Sequence, residues 1–345
     1  MTQGADTEVA IVGASLASYF AAATLARAGV RVALLQSQLP QADLGVIWPG
    51  LTDHWGILAD NLGEVQAEAL IQVVARSRDL LWESPAWAAA QGRRGGVMQL
   101  ASNATEMLEL TRRLRWLSHL WPRRLMSAGS ASNYMTVNQV EGASFVGDCG
   151  ACQASLFYPA LVAHLADVGV DFPSQSSAEI VVQTDPQWPW LFEQAGAVFT
   201  CESVPEPWNE SLVGIESHRG HLMMARHPQR GWQISGFSPE GDSLAADGQA
   251  DPGLIERLAH LAGQQITCLE GGITSQSRAL RYLCSADGLP VVGPLPGGKT
   301  WLMTAFASRE WSLGPALGEQ VALALLGQPA PLLTALPCLR PSRFL

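Results

Sequence analysis

Gly13, Ser15 and Ser18 stand at the spacing Gly-x-Ser-x-x-Ser, between the apolar run Glu8-Val-Ala-Ile-Val12 and an alanine-rich run that begins at Leu16. This is a variant of the glycine turn that leads a strand into a helix and offers backbone amides to a diphosphate. The first small residue makes the bend, the second lets backbone approach the phosphates, and the third lets helix pack on strand. Gly13 suits the bend. Ser15 suits the second place if its hydroxyl turns toward a phosphate, and Ser18 is small enough for the third. Gln36 ends the next apolar run, where an acidic residue usually accepts from ribose hydroxyls. An amide there makes a bond weaker by about 1 kcal/mol. Two outcomes stay open: a bound nucleotide, or a turn that kept its shape and lost its ligand.

The elements that would position this turn follow from periodicity. Val9–Val12 reads as a buried strand, Leu16–Ala28 as a crossover helix and Val30–Leu35 as a parallel strand. Helical spacing covers Asn61–Trp82, Ala104–Leu120 and Tyr158–Val168, with Pro159 in the first turn of the last. Ser132–Phe145 is strand-like, and short strands follow at Ala197–Thr200, His221–Ala225 and Gly231–Gly236, interrupted by a helix at Pro252–Ala262. The tail returns to strands at Leu289–Val292 and Trp301–Thr304 and a helix from Pro315 to Leu326. Nucleotide-type segments at both ends predict a discontinuous domain over 1–80, 145–205 and 275–345, enclosing a substrate or cap domain over 81–144 and 206–274.

With 345 residues, 48% of them hydrophobic, the chain can bury a full core. Its formal charge of −10 argues against binding nucleic acid or an anionic membrane over its whole surface. No basic segment precedes an apolar stretch at the start, and the most apolar segment is broken by Arg27, Gly29 and Arg31. The expectation is a cytoplasmic protein without a membrane span. Six cysteines in a chain of this length do not make a disulfide scaffold.

The two ends together resemble the D-amino-acid oxidase/glycine oxidase superfamily of FAD-dependent oxidoreductases. Ser277-Arg-Ala-Leu-Arg281-Tyr-Leu-Cys-Ser-Ala-Asp287-Gly288-Leu-Pro290-Val-Val-Gly293 is similar to its carboxyl-terminal strand and turn. Trp301-Leu-Met-Thr-Ala305-Phe-Ala307-Ser308-Arg309-Glu310-Trp311-Ser-Leu-Gly314-Pro315 resembles the flavin-facing loop and helix start. Within the superfamily, Gly45-Val-Ile-Trp48-Pro49-Gly50, Ser308-Arg309 and Arg340-Pro-Ser-Arg343-Phe344 are most similar to the oxidoreductase half of bifunctional enzymes that trim carboxymethylaminomethyl-uridine in tRNA. The resemblance implies an α/β fold: a glutathione-reductase-like, Rossmann-type FAD/NAD(P)-binding domain with an inserted antiparallel β-rich substrate domain.

It also implies FAD held by Gly13, Ser15, Ser18, Gln36, Gly45, Ser308, Arg309 and Gly314. The implied reaction oxidises the C–N bond of a small amine or amino-acid-like substrate by hydride transfer to flavin. Arg281 matches the residue that clamps the substrate carboxylate, at a spacing to Asp287 one residue longer than usual, and Trp48 and His54 would line the substrate pocket. Departures gather at the flavin. Ala305, Ala307 and Glu310 stand where relatives have glycine, and a positive φ at either alanine costs about 1 kcal/mol. Glu310 is bulky and negative beside a ring that gains charge on reduction, and Ala197–Glu202 lacks the glycine expected near the adenine. The alternative is therefore a degenerate flavoprotein fold, with FAD lost, acting as a partner subunit, homo-oligomer or binding module.

Other constellations have blander readings. Cys149-Gly-Ala-Cys152 could be a redox pair or half a metal site, but no second half completes a zinc set, so buried thiols are preferred and no metal is expected. Arg112, Arg113 and Arg115 could meet tRNA phosphates. A solvated helix face with Leu110, Leu114, Leu117 and Trp121 inward is the favoured reading. His218 and His221 are assigned to the fold.

Overall fold

The computed structural model describes residues 8–35, 44–49, 55–176, 178–184, 186–202, 212–217, 222–227, 231–237, 250–270 and 272–345. The chain opens as read: β1 (Glu8–Val12), α1 (Leu16–Arg27) and β2 (Arg31–Leu35) form a parallel βαβ unit. α1 is apolar on nearly every side and is buried from Leu16 to Ala23. A helix without a polar face must have neighbours all round. It lies between its own sheet and the carboxyl-terminal helix.

Further strands are β3 (Val46–Ile47), β4 (Arg93–Ala101), β5 (Arg123–Ser127), β6 (Gly142–Ala151), β7 (Val170–Asp171), β8 (Ile180–Gln183) and β9 (Leu191–Glu202). They continue with β10 (Leu212–Ser217), β11 (Leu222–His227), β12 (Gly231–Phe237), β13 (Ile273–Ser285), β14 (Val291–Pro294) and β15 (Thr300–Thr304). Among the described residues they make two sheets. One runs β14-β15-β8-β1-β2-β7 and is parallel except at β14. The other runs β13-β9-β12-β11-β10-β4-β6-β3, with β5 against β6, and is antiparallel except where β10 meets β4. This is a Rossmann-type domain with an inserted β-rich domain, the architecture expected.

Several expectations change in detail. β9, most of β6 and most of β13, expected in the nucleotide part, belong to the second sheet. The strand flanking β1 is β8, not Ala197–Glu202. Residues 132–141 are not strand, and β6 starts only at Gly142. Helix α7 spans Ala154–Asp167 and α9 spans Glu310–Leu325, so Pro159 and Pro315 lie inside helices rather than at their starts. Each proline is the sixth helical residue and forfeits one backbone bond. The remaining helices of the described residues are α2 (Trp55–Leu62), α3 (Glu64–Glu83), α4 (Pro85–Ala89), α5 (Ala104–Leu117), α6 (Ala128–Ala131), α8 (Pro252–Gln265) and α10 (Pro331–Thr334). α9 packs on both α1 and α3. One apolar core joins α1, α3, α7 and α9 to the first sheet, and a second lies between α8 and the inserted sheet.

Candidate functional site

Gly13 leaves β1 with φ 105°, a backbone state that only glycine enters at little cost, and its amide donates to Leu35 O at 2.9 Å. The bend is as read. Ser18 is small and fully buried, and both serines also cap the helix. Ser15 caps α1: its Oγ accepts from the Ser18 amide at 3.0 Å, and its own amide donates to Ser18 Oγ at 2.8 Å. Ser18 Oγ donates in turn to Ser15 O at 2.7 Å. The two serines thus form a capping box at the start of α1, in which the Ser15 hydroxyl accepts and keeps its own proton.

The next amide of the turn has a partner from the far end of the chain. Leu16 N–H donates to Glu310 Oε1 at 2.5 Å. The carboxylate sits where two helix starts meet, since Glu310 is also the first residue of α9. Negative charge is favoured at both positive helix ends. Tyr19, buried one turn into α1, has its phenol pushed up by burial first and by the charge of Glu310 second, so it stays neutral. Gly314 brings α9 against α1, where an added Cβ would lie 3.1 Å from Ala17 N. The cradle suits an anion, and in this arrangement the chain supplies that anion itself.

The segment between β15 and α9 carries the other residues expected there. Ala305 and Ala307 have φ of 61° and 48°, left-handed values at the places where glycine was expected. Ser308 and Arg309 are buried. Arg309 Nη2 donates to Glu216 Oε1 at 2.5 Å, and Gln99 Nε2 donates to Glu216 Oε2 at 2.7 Å. Glu216 on β10 and Gln99 on β4 are direct cross-strand neighbours. Arg123 completes the group through Gln99 Oε1 at 3.2 Å and Pro49 O at 3.0 Å. Burial first, and the Arg113 charge second, bring Arg123 down to about 10, still charged at neutral pH. Thr304 Oγ1, Ser308 Oγ, Arg309 Nε and Nη1, and Trp311 Nε1 are buried without hydrogen-bond partners.

Trp48 is 2% exposed and tied to α9, with its amide donating to Ser312 Oγ at 3.0 Å and its carbonyl accepting from the same hydroxyl at 2.9 Å. Gly45 lies beside β3, its carbonyl accepting from Cys152 N at 2.9 Å. Arg281 does not join this group. Its side chain is 56% exposed and lies 3.5 Å from Glu193, while the next residue, Tyr282, is buried with its hydroxyl 3.2 Å from Ser235 Oγ. Side chains alternate along a strand, so Arg281 and the buried Tyr282 lie on opposite faces of β13. Gln36, His54, His218 and His221 lie outside the described residues.

Two other expectations resolve simply. Cys149 and Cys152 are both buried, and burial pushes their thiols far up, so neither is a reactive thiolate. No group of metal-ligating side chains occurs among the described residues. Arg113 is 2% exposed and pairs with Glu109 at 3.2 Å, which leaves Arg112 and Arg115 exposed on α5. Sequence alone does not flag Thr184, which follows β8 and donates to Val12 O from both its amide (2.9 Å) and its hydroxyl (3.0 Å). The run Ile180–Gln183 before it was the available signal. Nor does sequence flag Glu216, Gln99 and Arg123, which are brought together only by strand pairing.

A parallel sheet ending in a glycine turn, joined to an inserted β-rich sheet, defines a fold of the dinucleotide-binding class. A sequence profile of the family described as FAD dependent oxidoreductase matches residues 8–203, more than half the chain. The chain belongs to that family, whose chemistry is FAD-dependent oxidation of the C–N bond of amines and amino acids. Glycine oxidase from Geobacillus kaustophilus is similar in structure, with TM-score 0.74, 18% identity, and coverage of 94% of this chain and 96% of that one. So are L-proline dehydrogenase from P. horikoshii (TM-score 0.77, 14% identity, 99% and 98%) and iminodiacetate oxidase from Chelativorans sp. BNC1 (0.73, 15%, 94% and 96%). At these identities the likeness is one of fold. No curated protein matches in sequence. No helix among the described residues is long and apolar enough to cross a membrane.

Proposed function

We propose that the chain oxidises a small amine or amino-acid-like substrate, with FAD held between the Gly13 turn and the segment Thr304–Trp311. When bound, FAD would accept the hydride released from the substrate carbon. The chain's own contribution is binding, charge and exclusion of water. The α1 amides would hold the diphosphate, and Trp48, locked to α9, would wall the space between the two sheets. Arg309 pairs with Glu216, and Arg123 reaches that carboxylate only through Gln99, so the two arginines leave positive charge for a substrate carboxylate. This is the role expected of Arg281, which lies on the outer face.

The run of buried polar atoms without partners from Thr304 to Trp311 carries this reading. Such atoms are costly in a dry core, and their concentration in one short segment is what a polar ligand bound there would satisfy. Equilibrium dialysis against FAD should leave flavin on the protein, released on denaturation, and an amine should bleach it. Protein that takes up no FAD at saturating concentration would overturn the reading.

One observation favours a second reading, a family fold without redox turnover: the Glu310 carboxylate on the Leu16 amide. The possibility that Arg112, Arg113 and Arg115 meet tRNA phosphates together loses support, because Arg113 is buried against Glu109.

A further inference from the structure

Glu310 and a cofactor diphosphate call for the same donor. The Leu16 amide opens the first helix, within the turn that Gly13 sets up, and its hydrogen points at Glu310 Oε1. The backbone that carries this carboxylate is not free to drift. α9 lies directly against α1, and at Gly318 an added Cβ would come within 2.2 Å of Ala17 O. Trp311, the next residue after Glu310, is wedged against Phe157 and Tyr158 at ring separations of 5.0 and 5.8 Å. Arg309, the residue before it, is held by Glu216. The backbone of the first turn of α9 is therefore fixed on both sides of Glu310, and only the side chain itself can swing.

We infer that Glu310 is an internal competitor for the diphosphate: its carboxylate fills the anion position at the start of α1, and a dinucleotide binds only as that carboxylate leaves. The inference rests on the FAD reading above, and it concerns the natural residue at 310, not the family's general chemistry. Two like charges at one amide repel, so occupation is exclusive rather than shared. The positive ends of α1 and α9 meet there, and they hold whichever anion is present.

The test uses the whole chain as wild type, Glu310→Ala and Glu310→Gln. Hydrogen exchange at the Leu16 amide is followed with and without inorganic pyrophosphate, and FAD affinity is measured in parallel by quenching of flavin fluorescence. Pyrophosphate should slow Leu16 exchange in Glu310→Ala by about tenfold or more and leave wild type unchanged, and FAD should bind the variant about tenfold tighter. Glu310→Gln keeps the shape and removes the charge. It should behave like Glu310→Ala, and it serves if the alanine variant folds poorly. Equal protection by pyrophosphate in wild type and variant, or protection in neither, would overturn the inference. Protection confined to the variants, with FAD taken up by none of the three proteins, would leave the inference standing and remove the FAD reading instead.

Discussion

Ala305 and Ala307 each hold a left-handed backbone against their own methyl groups, at φ of 61° and 48°. A non-glycine residue in that region costs on the order of 1 kcal/mol. The two differ in what the methyl touches. Ala305 is buried with Val291 and Leu302, whereas Ala307 is partly exposed. Ala307→Gly should therefore raise stability by up to about 1 kcal/mol, less the entropy that glycine adds to the unfolded chain. Ala305→Gly should gain less, because it also gives up a buried methyl. Urea melts of both variants check the order, and destabilisation by Ala307→Gly would show that the strain is not there. The glycine turn, the small third residue and the substitution of alanine for glycine were legible in the sequence because each depends on one residue's backbone. The Glu310–Leu16 bond joins residues 294 apart, and the Glu216 cluster draws on three strands and a turn, so neither has a local signal.

At the scale of elements, the contact that decides the site is α1 on α9. It is close because Gly318 has no side chain where Ala17 O passes, at 2.2 Å from the position a Cβ would take. The obstacle is backbone in the first turn of a buried helix, so it cannot swing aside as a side chain could. Gly318→Ala should cost about 2–3 kcal/mol, in the range of overpacked cores, and should loosen the Glu310 bond with it. Gly129→Ala is the control, since nothing lies nearer than 4.0 Å there. Equal thermal midpoints for the two variants would sink the argument. Elements with strong periodicity, such as α1, α5 and α8, were legible from residue spacing alone. The helix starts at α7 and α9 were not: Pro159 and Pro315 read as first-turn signals, yet each helix begins five residues earlier. Arg281 shows the same limit for strands, where one residue of register exchanges the two faces.

For the whole molecule, the question is what fixes one sheet against the other. The chain crosses from β8 to β9 through Trp188 and Trp190, and returns from β13 to β14 through the Asp287–Gly288 turn. Of the four passages that link the sheets among the described residues, the carboxyl-terminal residues touch these two. Phe344 stacks on Trp190 at 4.6 Å and 12°. Arg343 Nε donates to Asp287 Oδ2 at 2.6 Å, and Nη2 donates to the carbonyls of Leu289 and Pro290 at 2.9 and 3.0 Å. Burial alone would raise the Asp287 carboxyl, but hydrogen bonds from Arg343, Ser285 and the Leu289 amide bring it below its ordinary value of 3.8. A carboxyl lowered on folding stabilises fully above its unfolded value, and that contribution fades as pH falls through the lower, folded one. Arg343→Ala should therefore cost about 1 kcal/mol near neutral pH, a modest figure because the carboxylate is more than one-third exposed. The gap from wild type should narrow once pH drops below about 4, as the carboxyl that Arg343 serves becomes neutral. Thermal melts of both proteins across that range decide it. A gap that stays constant with pH would mean that the tail holds the crossings by stacking and carbonyl contacts, with no part played by charge.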